Sequence, residues 1–166
     1  MKRIPAACAF LFLAVSASPG LAQSKTKTPG PDAIVKNLYQ VQNAGAGPFF
    51  QTRNRALVDR YFMKDLADLI WKDAVHAKGE VGALDFDPLY ASQDPQISDF
   101  KISESGWAAD AKFGPEDKAI VEVTFKNSGK KQRVAFAFDQ DKSGAWKIFD
   151  IRYPDNTSLR EVFASQ

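Results

Sequence analysis

The stretch LDFDPLYASQD, residues 84–94, separates two halves of the chain that have different hydrophobic periodicity. Apolar residues before it recur at the spacing of a helix, and apolar residues after it mostly alternate with polar ones, as in strands. The pair Asp87-Pro88 has the arrangement of a helix N-cap followed by a first-position proline, which predicts a short helix over 89–92. The pair Asp94-Pro95 predicts a turn. We therefore expect this stretch to end a helical half and begin a sheet half.

Two helices are predicted on the amino-terminal side. The first begins at Pro31-Asp32, because proline suits the first helical position and aspartate complements the amino end of the helix dipole, and the cluster GAGP at 45–48 ends it. The second covers Asn54–Ala77, where apolar residues recur at four-residue steps: Val58, Phe62, Leu66, Ile70 and Ala74. The tetrapeptide FMKD at 62–65 either interrupts this helix or continues it, and periodicity leaves both possibilities open.

Alternation on the carboxyl-terminal side predicts four strands: Ile97–Ser105, Ala119–Asn127, Lys131–Gln140 and Trp146–Tyr153. We expect a long loop over 106–117, hairpin turns at 128–129 and 141–144, and a short last helix with Ser158 and Glu161 at capping-box spacing. Helices followed by an antiparallel meander predict an α+β fold, in which the helices cover one face of the sheet. Residues 31–166 are expected to form a single domain.

Two leading helices, a turn and a meander that ends in WKIFDIRY (146–153) resemble the cone-shaped nuclear transport factor 2-like superfamily. More narrowly, DFDP at 85–88, QD at 93–94 and the same last strand resemble a family of secreted bacterial domains of unknown function within it. The resemblance covers roughly residues 31–164. It implies amino-terminal helices packed on a curved antiparallel sheet, and it implies no catalytic residues.

The amino terminus has the pattern of a bacterial signal peptide. A basic MKR at 1–3 precedes an apolar stretch over 4–18, and GLA at 20–22 supplies the small residues that a signal peptidase reads. We expect cleavage after Ala22, a flexible tether over 23–30, and a periplasmic or secreted protein without a membrane span.

Cleavage would remove two cations and the single cysteine, Cys8. The formal net charge would fall from +2 to +2 − 2 = 0, and no disulfide could form. A neutral chain has no global field to attract nucleic acid, so nucleic acid is not an expected partner. The cations Lys126 and Lys130-Lys131-Arg133, which flank a predicted turn, are interpreted as solvated.

Asp85, Asp87 and Asp94 are the oxygen ligands that calcium prefers. Their spacing lacks the loop glycine and the final glutamate of a helix-loop-helix calcium site. The predicted N-cap explains Asp87, and the predicted turn explains Asp94. Neither a metal nor another cofactor is therefore expected. Asp85 and Gln93 have no structural explanation from the sequence and are candidates for ligand binding.

The last strand carries the stronger candidates: Trp146, Asp150 and Arg152. In a regular strand, Trp146, Ile148, Asp150 and Arg152 point to one face, and Phe149, Ile151 and Tyr153 point to the other. If the first set faces inward, Asp150 lies near the mouth of a pocket with Arg152 as its candidate partner. If the second set faces inward, Trp146 and Ile148 form an apolar patch, which suggests a homodimer through the sheet face.

These patterns lead us to expect a noncatalytic periplasmic binding module, with a pocket between helices and curved sheet that takes a small molecule or a protein. An interaction protein, such as an inhibitor or envelope adaptor, is the second hypothesis. An isomerase-like or dehydratase-like enzyme that uses Asp150 is the third.

Overall fold

The computed structural model describes residues 28–103, 106–107 and 119–165 of the chain. The signal peptide and most of the tether that the sequence predicts lie outside these residues. The helices are α1 (Pro31–Asn43), α2 (Arg55–Tyr61), α3 (Lys64–Ala77) and α4 (Leu159–Ala164). The strands are β1 (Ile97–Ile102), β2 (Gly106–Trp107), β3 (Ala119–Asn127), β4 (Lys130–Gln140) and β5 (Trp146–Arg152). The predicted α+β class is confirmed.

The sheet is antiparallel, with the strand order β1-β3-β4-β5, and the short β2 pairs with the start of β3. The predicted turn between β3 and β4 is confirmed, because Ser128 and Gly129 both have positive φ (48° and 79°), as a two-residue hairpin requires. The long loop expected over 106–117 is wrong in part, since Gly106-Trp107 bonds to the edge of β3 as a strand. The remainder of that loop lies outside the described residues.

One face of the sheet forms the core. It presents buried side chains from β3 and β4, and α1 and α3 cover them with Leu38, Leu66 and Ile70. The sheet residues are Val121, Val123, Phe125, Val134, Phe136 and Phe138. Burial of each such side chain stabilises the fold by about 1.5–3 kcal/mol before entropy is counted, so the helices and the sheet hold each other in place.

The second predicted helix is divided between Tyr61 and Lys64, which settles the question left open by the FMKD segment. Phe62 has extended backbone angles (φ −111°, ψ 149°) and pairs with Ile148 as a parallel bridge. The N–H of Met63 donates to the carbonyl of Ile148 at 2.9 Å. The outer edge of β5 would otherwise leave the Ile148 carbonyl without this bond, and the break in the helix supplies the N–H that it accepts.

The stretch 84–94 separates helices from strands as expected, but the helix predicted over 89–92 is wrong. The backbone turns instead, and Asp87 and Ser92 form an antiparallel bridge in which the Asp87 N–H donates to the Ser92 carbonyl at 2.9 Å. Oδ1 of Asp87 accepts the N–H of Leu89 at 2.9 Å, so the capping carboxylate closes a turn and does not begin a helix.

The carboxyl terminus follows the sequence prediction closely. Ser158 and Glu161 form the expected capping box, in which each side chain accepts the backbone N–H of the other residue. The strand β5 ends at Arg152, one residue earlier than predicted, and Arg152 pairs with Ser158 where the chain turns into α4. No helix in the described part of the chain combines the length and the apolar character needed to cross a bilayer.

Candidate functional site

A β-bulge at Phe149 decides which side chains of β5 face the core. Phe138 pairs with Ile148, and Ala137 pairs with Asp150, so the strand register passes over Phe149, the extra residue of the bulge. Ile148 and Ile151 consequently lie opposite Phe138 and Phe136 on the same face, and both are fully buried. The regular alternation assumed from the sequence is therefore wrong, because the extra residue reverses the face partway along the strand.

Neither of the two orientations considered from the sequence applies to the whole strand. Trp146 lies opposite Gln140 on the core-facing side and is half-buried against the core. Asp150 and Arg152 lie opposite Ala137 and Ala135, on the other face. The bulge thus separates Trp146 from the two charged residues that were grouped with it as a ligand site.

The buried carboxylate of Asp150 holds the first turn of α4. Its Oδ1 accepts the N–H of Ile151 at 2.9 Å and the N–H of Arg160 at 3.2 Å, and the Ser158 hydroxyl also bonds the carboxylate. Burial raises the pKa of Asp150, while these bonds and the nearby guanidinium of Arg160 oppose the rise. The carboxylate therefore acts as a cap for backbone N–H groups at the start of a helix.

Arg160 fastens the same corner from the helix side. Its Nε donates to the Phe149 carbonyl at 2.8 Å, its guanidinium lies 4.5 Å from the centre of the Phe149 ring, and it pairs with Asp65 at 2.9 Å. Arg152, the partner expected for Asp150, donates from Nη1 to the Asn156 carbonyl at 3.1 Å. The bulge, α3 and α4 thus meet around Arg160, which the sequence did not single out.

The two unexplained residues of the opening stretch bond to each other. Nε2 of Gln93 donates to Oδ2 of Asp85 at 3.3 Å, and both side chains are exposed. The half-buried Asp87 accepts Nε2 of Gln42 at 3.3 Å, and burial raises its pKa. Among the described residues, no three His, Cys, Asp or Glu side chains come together as a group that could hold a metal ion.

The structure adds a cavity that the sequence did not reveal, the α1–β1 groove. It has a volume of about 690 Å³ and lies between one stripe of α1 and the strand β1. The lining is Asp32, Lys36, Tyr39, Gln40, Asn43, Tyr90, Ile97, Phe100, Ile102 and Ser103. The described lining includes none of the five residues that the sequence suggested for ligand binding.

A second β-bulge gives this groove its aromatic wall. Ser98 pairs with Lys126 and Lys101 with Thr124, so two residues of β1 stand against one residue of β3. Asp99 takes the left-handed conformation (φ 52°) that the bulge requires. Phe100 then turns towards α1, where its ring centre lies 4.9 Å from that of Tyr39 at an interplanar angle of 67°. Phe100 keeps 39% of its surface exposed.

Hydrogen bonds fix the floor of the groove. The Tyr39 hydroxyl donates to the Leu89 carbonyl at 2.6 Å, and the Tyr90 hydroxyl donates to Oδ1 of Asn43 at 3.0 Å. The two tyrosine rings meet edge to face with centres 5.4 Å apart. Burial raises the pKa of Tyr39 well above its ordinary value. The stretch 84–94 is therefore bonded to α1 and supports the floor in a preformed shape.

The sequence carried part of the signal for this groove. Asp32, Lys36, Gln40 and Asn43 recur at the spacing of one helical face, next to the buried stripe. What it did not indicate was the bulge, which turns Phe100 onto Tyr39. Comparisons of the chain with protein-family models, with curated proteins and with solved structures give no significant match.

Proposed function

We propose that this protein is a noncatalytic binding module that takes a small apolar or amphipathic molecule in the α1–β1 groove. The observation that supports this most directly is the exposed Phe100 ring against Tyr39, on the wall of a preformed cavity. A large exposed aromatic side chain gains free energy when a ligand removes it from water, by about 25 cal/mol for each Å² that is covered.

The size and the lining of the groove agree with this proposal. A volume of about 690 Å³ lies within the range of small-molecule sites, about 300–1,000 Å³. Ile97 and Ile102 extend the apolar wall, while the exposed Lys36 and Gln40 stand at the rim, where they could orient a polar group of the ligand. A few polar groups around an apolar surface are typical of ligand pockets.

The proposal includes a periplasmic or secreted location and a nuclear transport factor 2-like cone. The location rests on the signal-peptide pattern of residues 1–22, and the cone rests on the resemblance and on helices that cover one face of an antiparallel sheet. An enzyme that uses Asp150 has less support, because Oδ1 of this carboxylate already accepts two backbone N–H groups.

Fluorescence titration with the neutral apolar probe N-phenyl-1-naphthylamine tests the groove. We expect saturable binding, and Phe100→Ala should weaken it about tenfold, which corresponds to 1.4 kcal/mol. Phe50→Ala is the matched control, because Phe50 is also an exposed phenylalanine (51%) and does not line the groove. Absence of saturable binding, or equal weakening by both variants, would contradict the proposal. In a separate experiment, native mass spectrometry of the purified protein would identify a ligand that remains bound.

A further inference from the structure

Four cations project from the face of the sheet that lies away from the core. Lys101 and Arg133 both pair with Thr124, and Lys126 pairs with Lys131, so these side chains share a face opposite to Val123 and Phe125. Together they border a hollow of about 840 Å³. The rest of its lining is Asp99, Phe100, Thr124, Phe125, Gln132 and Pro154. We refer to this hollow, lined by Lys101, Lys126, Lys131 and Arg133, as the cationic hollow.

The fold places two like charges directly opposite each other in this hollow. Lys126 and Lys131 are cross-strand partners, and directly opposed like charges destabilise an antiparallel pair. Asp99 relieves part of the repulsion, since it pairs with Nζ of Lys126 at 2.7 Å. Arg133 pairs with Glu122 at 2.5 Å. Lys101 and Lys131 form no ion pair within the part of the chain that the structure describes.

The charges of this region therefore do not balance locally. Counted over the described residues, four cations face two acids, Asp99 and Glu122, which leaves a formal excess of +4 − 2 = +2 in this region. An anion that entered the hollow would remove the repulsion between Lys126 and Lys131 and would gain attraction from Lys101. The sequence had suggested a solvated turn here, but it could not show that Lys101, from a distant part of the chain, completes the cluster.

We propose that the cationic hollow binds an acidic segment of a protein partner through the carboxylates of its Asp and Glu side chains. Charge complementarity supports this proposal, and the concave shape of the hollow favours a polypeptide as the partner. The cations surround a concavity that a polypeptide with side-chain carboxylates can enter, whereas a planar layer of lipid headgroups contacts convex surfaces. Thr124, on the same face as the cations, adds a hydroxyl that can bond a peptide backbone. Phe100 lines both this hollow and the α1–β1 groove, but none of the four cations that carry this proposal lines the groove.

The test measures binding of a fluorescein-labelled decaglutamate peptide to the purified protein by anisotropy. We expect saturable binding at low ionic strength that weakens as salt is added, because exposed charges are screened. Lys131→Gln should weaken binding at least fivefold. The same substitution should raise the melting temperature, because it removes the repulsion with Lys126. A variant that is more stable than wild type but binds the peptide less tightly has lost binding without losing its fold.

Lys142→Gln is the matched control, since it removes the same charge from an exposed turn on a different hairpin. It should leave peptide binding within twofold of wild type. Equal weakening by Lys131→Gln and Lys142→Gln would overturn the proposal, because only the net charge would then matter. Absence of peptide binding would overturn it too. So would binding to vesicles that contain phosphatidylglycerol without binding to the peptide, which would indicate a membrane surface as the partner.

Discussion

The carboxylate of Asp150 accepts the backbone N–H of Arg160 at 3.2 Å, and this bond joins the last strand to the first turn of the last helix. Asp150 is buried, and its carboxylate also accepts the Ile151 N–H and bonds the Ser158 hydroxyl. Asp150 drew attention in the sequence as a possible acid or base. The structure gives it contacts that are typical of a helix cap.

Asp150→Ala should therefore reduce the stability of the fold. We expect a loss of about 1–3 kcal/mol in the free energy of unfolding, because the N–H groups that the carboxylate accepts are left without a partner. Urea denaturation measures this loss. Asp139→Ala on the adjacent strand is the control, since its carboxylate accepts the exposed N–H of Gln140, and its effect should stay within about 0.5 kcal/mol. Equal stabilities of the two variants would contradict the capping role.

The bond from the Met63 N–H to the Ile148 carbonyl can be removed almost in isolation. Met63 already has the φ of a proline (−58°), and Phe62 before it is extended, as a residue before proline should be. Met63→Pro should destabilise the fold by about 1 kcal/mol relative to Met63→Ala. Loss of the hydrogen bond costs about 1–3 kcal/mol in the free energy of unfolding. This cost outweighs the roughly 0.4–1 kcal/mol gained because proline restricts the unfolded chain. A Met63→Pro variant more stable than Met63→Ala would show that this edge contact is dispensable.

The half-buried Asp87 should give the stability a characteristic dependence on pH. Burial raises its pKa in the folded protein above the ordinary 3.8, so the folded state binds the proton more tightly than the unfolded state does. Its contribution to stability is present below that ordinary value and is lost as the pH rises through the folded-state pKa. The melting temperature of Asp87→Asn minus that of wild type should therefore rise as the pH increases from about 3 to about 7.

Thermal melts at several pH values measure this difference. Asp85→Asn is the control, because it changes an exposed carboxylate in the same turn. Its melting temperature relative to wild type should change less with pH than that of Asp87→Asn. A melting-temperature difference for Asp87→Asn that falls as the pH rises would have the wrong sign. It would show that the bonds from Leu89 and Gln42 outweigh burial.

Tyr39 and Tyr153 should remain protonated well beyond the ordinary range of tyrosine. Burial raises the pKa of both hydroxyls well above 10.0, so neither should ionise until the protein unfolds in alkali. The chain has four tyrosines. In an ultraviolet titration, Tyr39 and Tyr153 should ionise in the same step in which the protein loses its structure. Tyr39→Phe and Tyr153→Phe should each remove one equivalent from that late step. Two equivalents in the late step of either variant would contradict this assignment.

Local patterns predicted most of the fold. Pro31 and Asp32 begin α1, Ser158 and Glu161 cap α4, and the turn at 128–129 joins two long strands, each as expected. These features depend on residues within one or two turns of each other, so their chemistry can be read from adjacent sequence. Periodicity likewise identified the residues of the core. The helix expected after Asp87 failed because a bridge to Ser92 competes for the same backbone groups.

The candidate sites were much less predictable. Asp85 and Gln93 were candidates for ligand binding, and only the fold shows that they bond to each other across a turn. The α1–β1 groove requires Phe100 to meet Tyr39, and the cationic hollow requires Lys101 to join the hairpin of Lys131. These residues are far apart in the chain, so their meeting depends on strand register.

The sequence by itself determined the α+β class, the order of the elements and the division of the chain at residues 84–94, because periodicity and capping are local properties. Only the tertiary structure decided which face each side chain takes. One extra residue in β5, Phe149, and one in β1 reverse the alternation, and no local signal marked either bulge. The stretch 84–94 first suggested a site through its carboxylates. In the folded protein it supports the α1–β1 groove, because the Leu89 carbonyl accepts the Tyr39 hydroxyl.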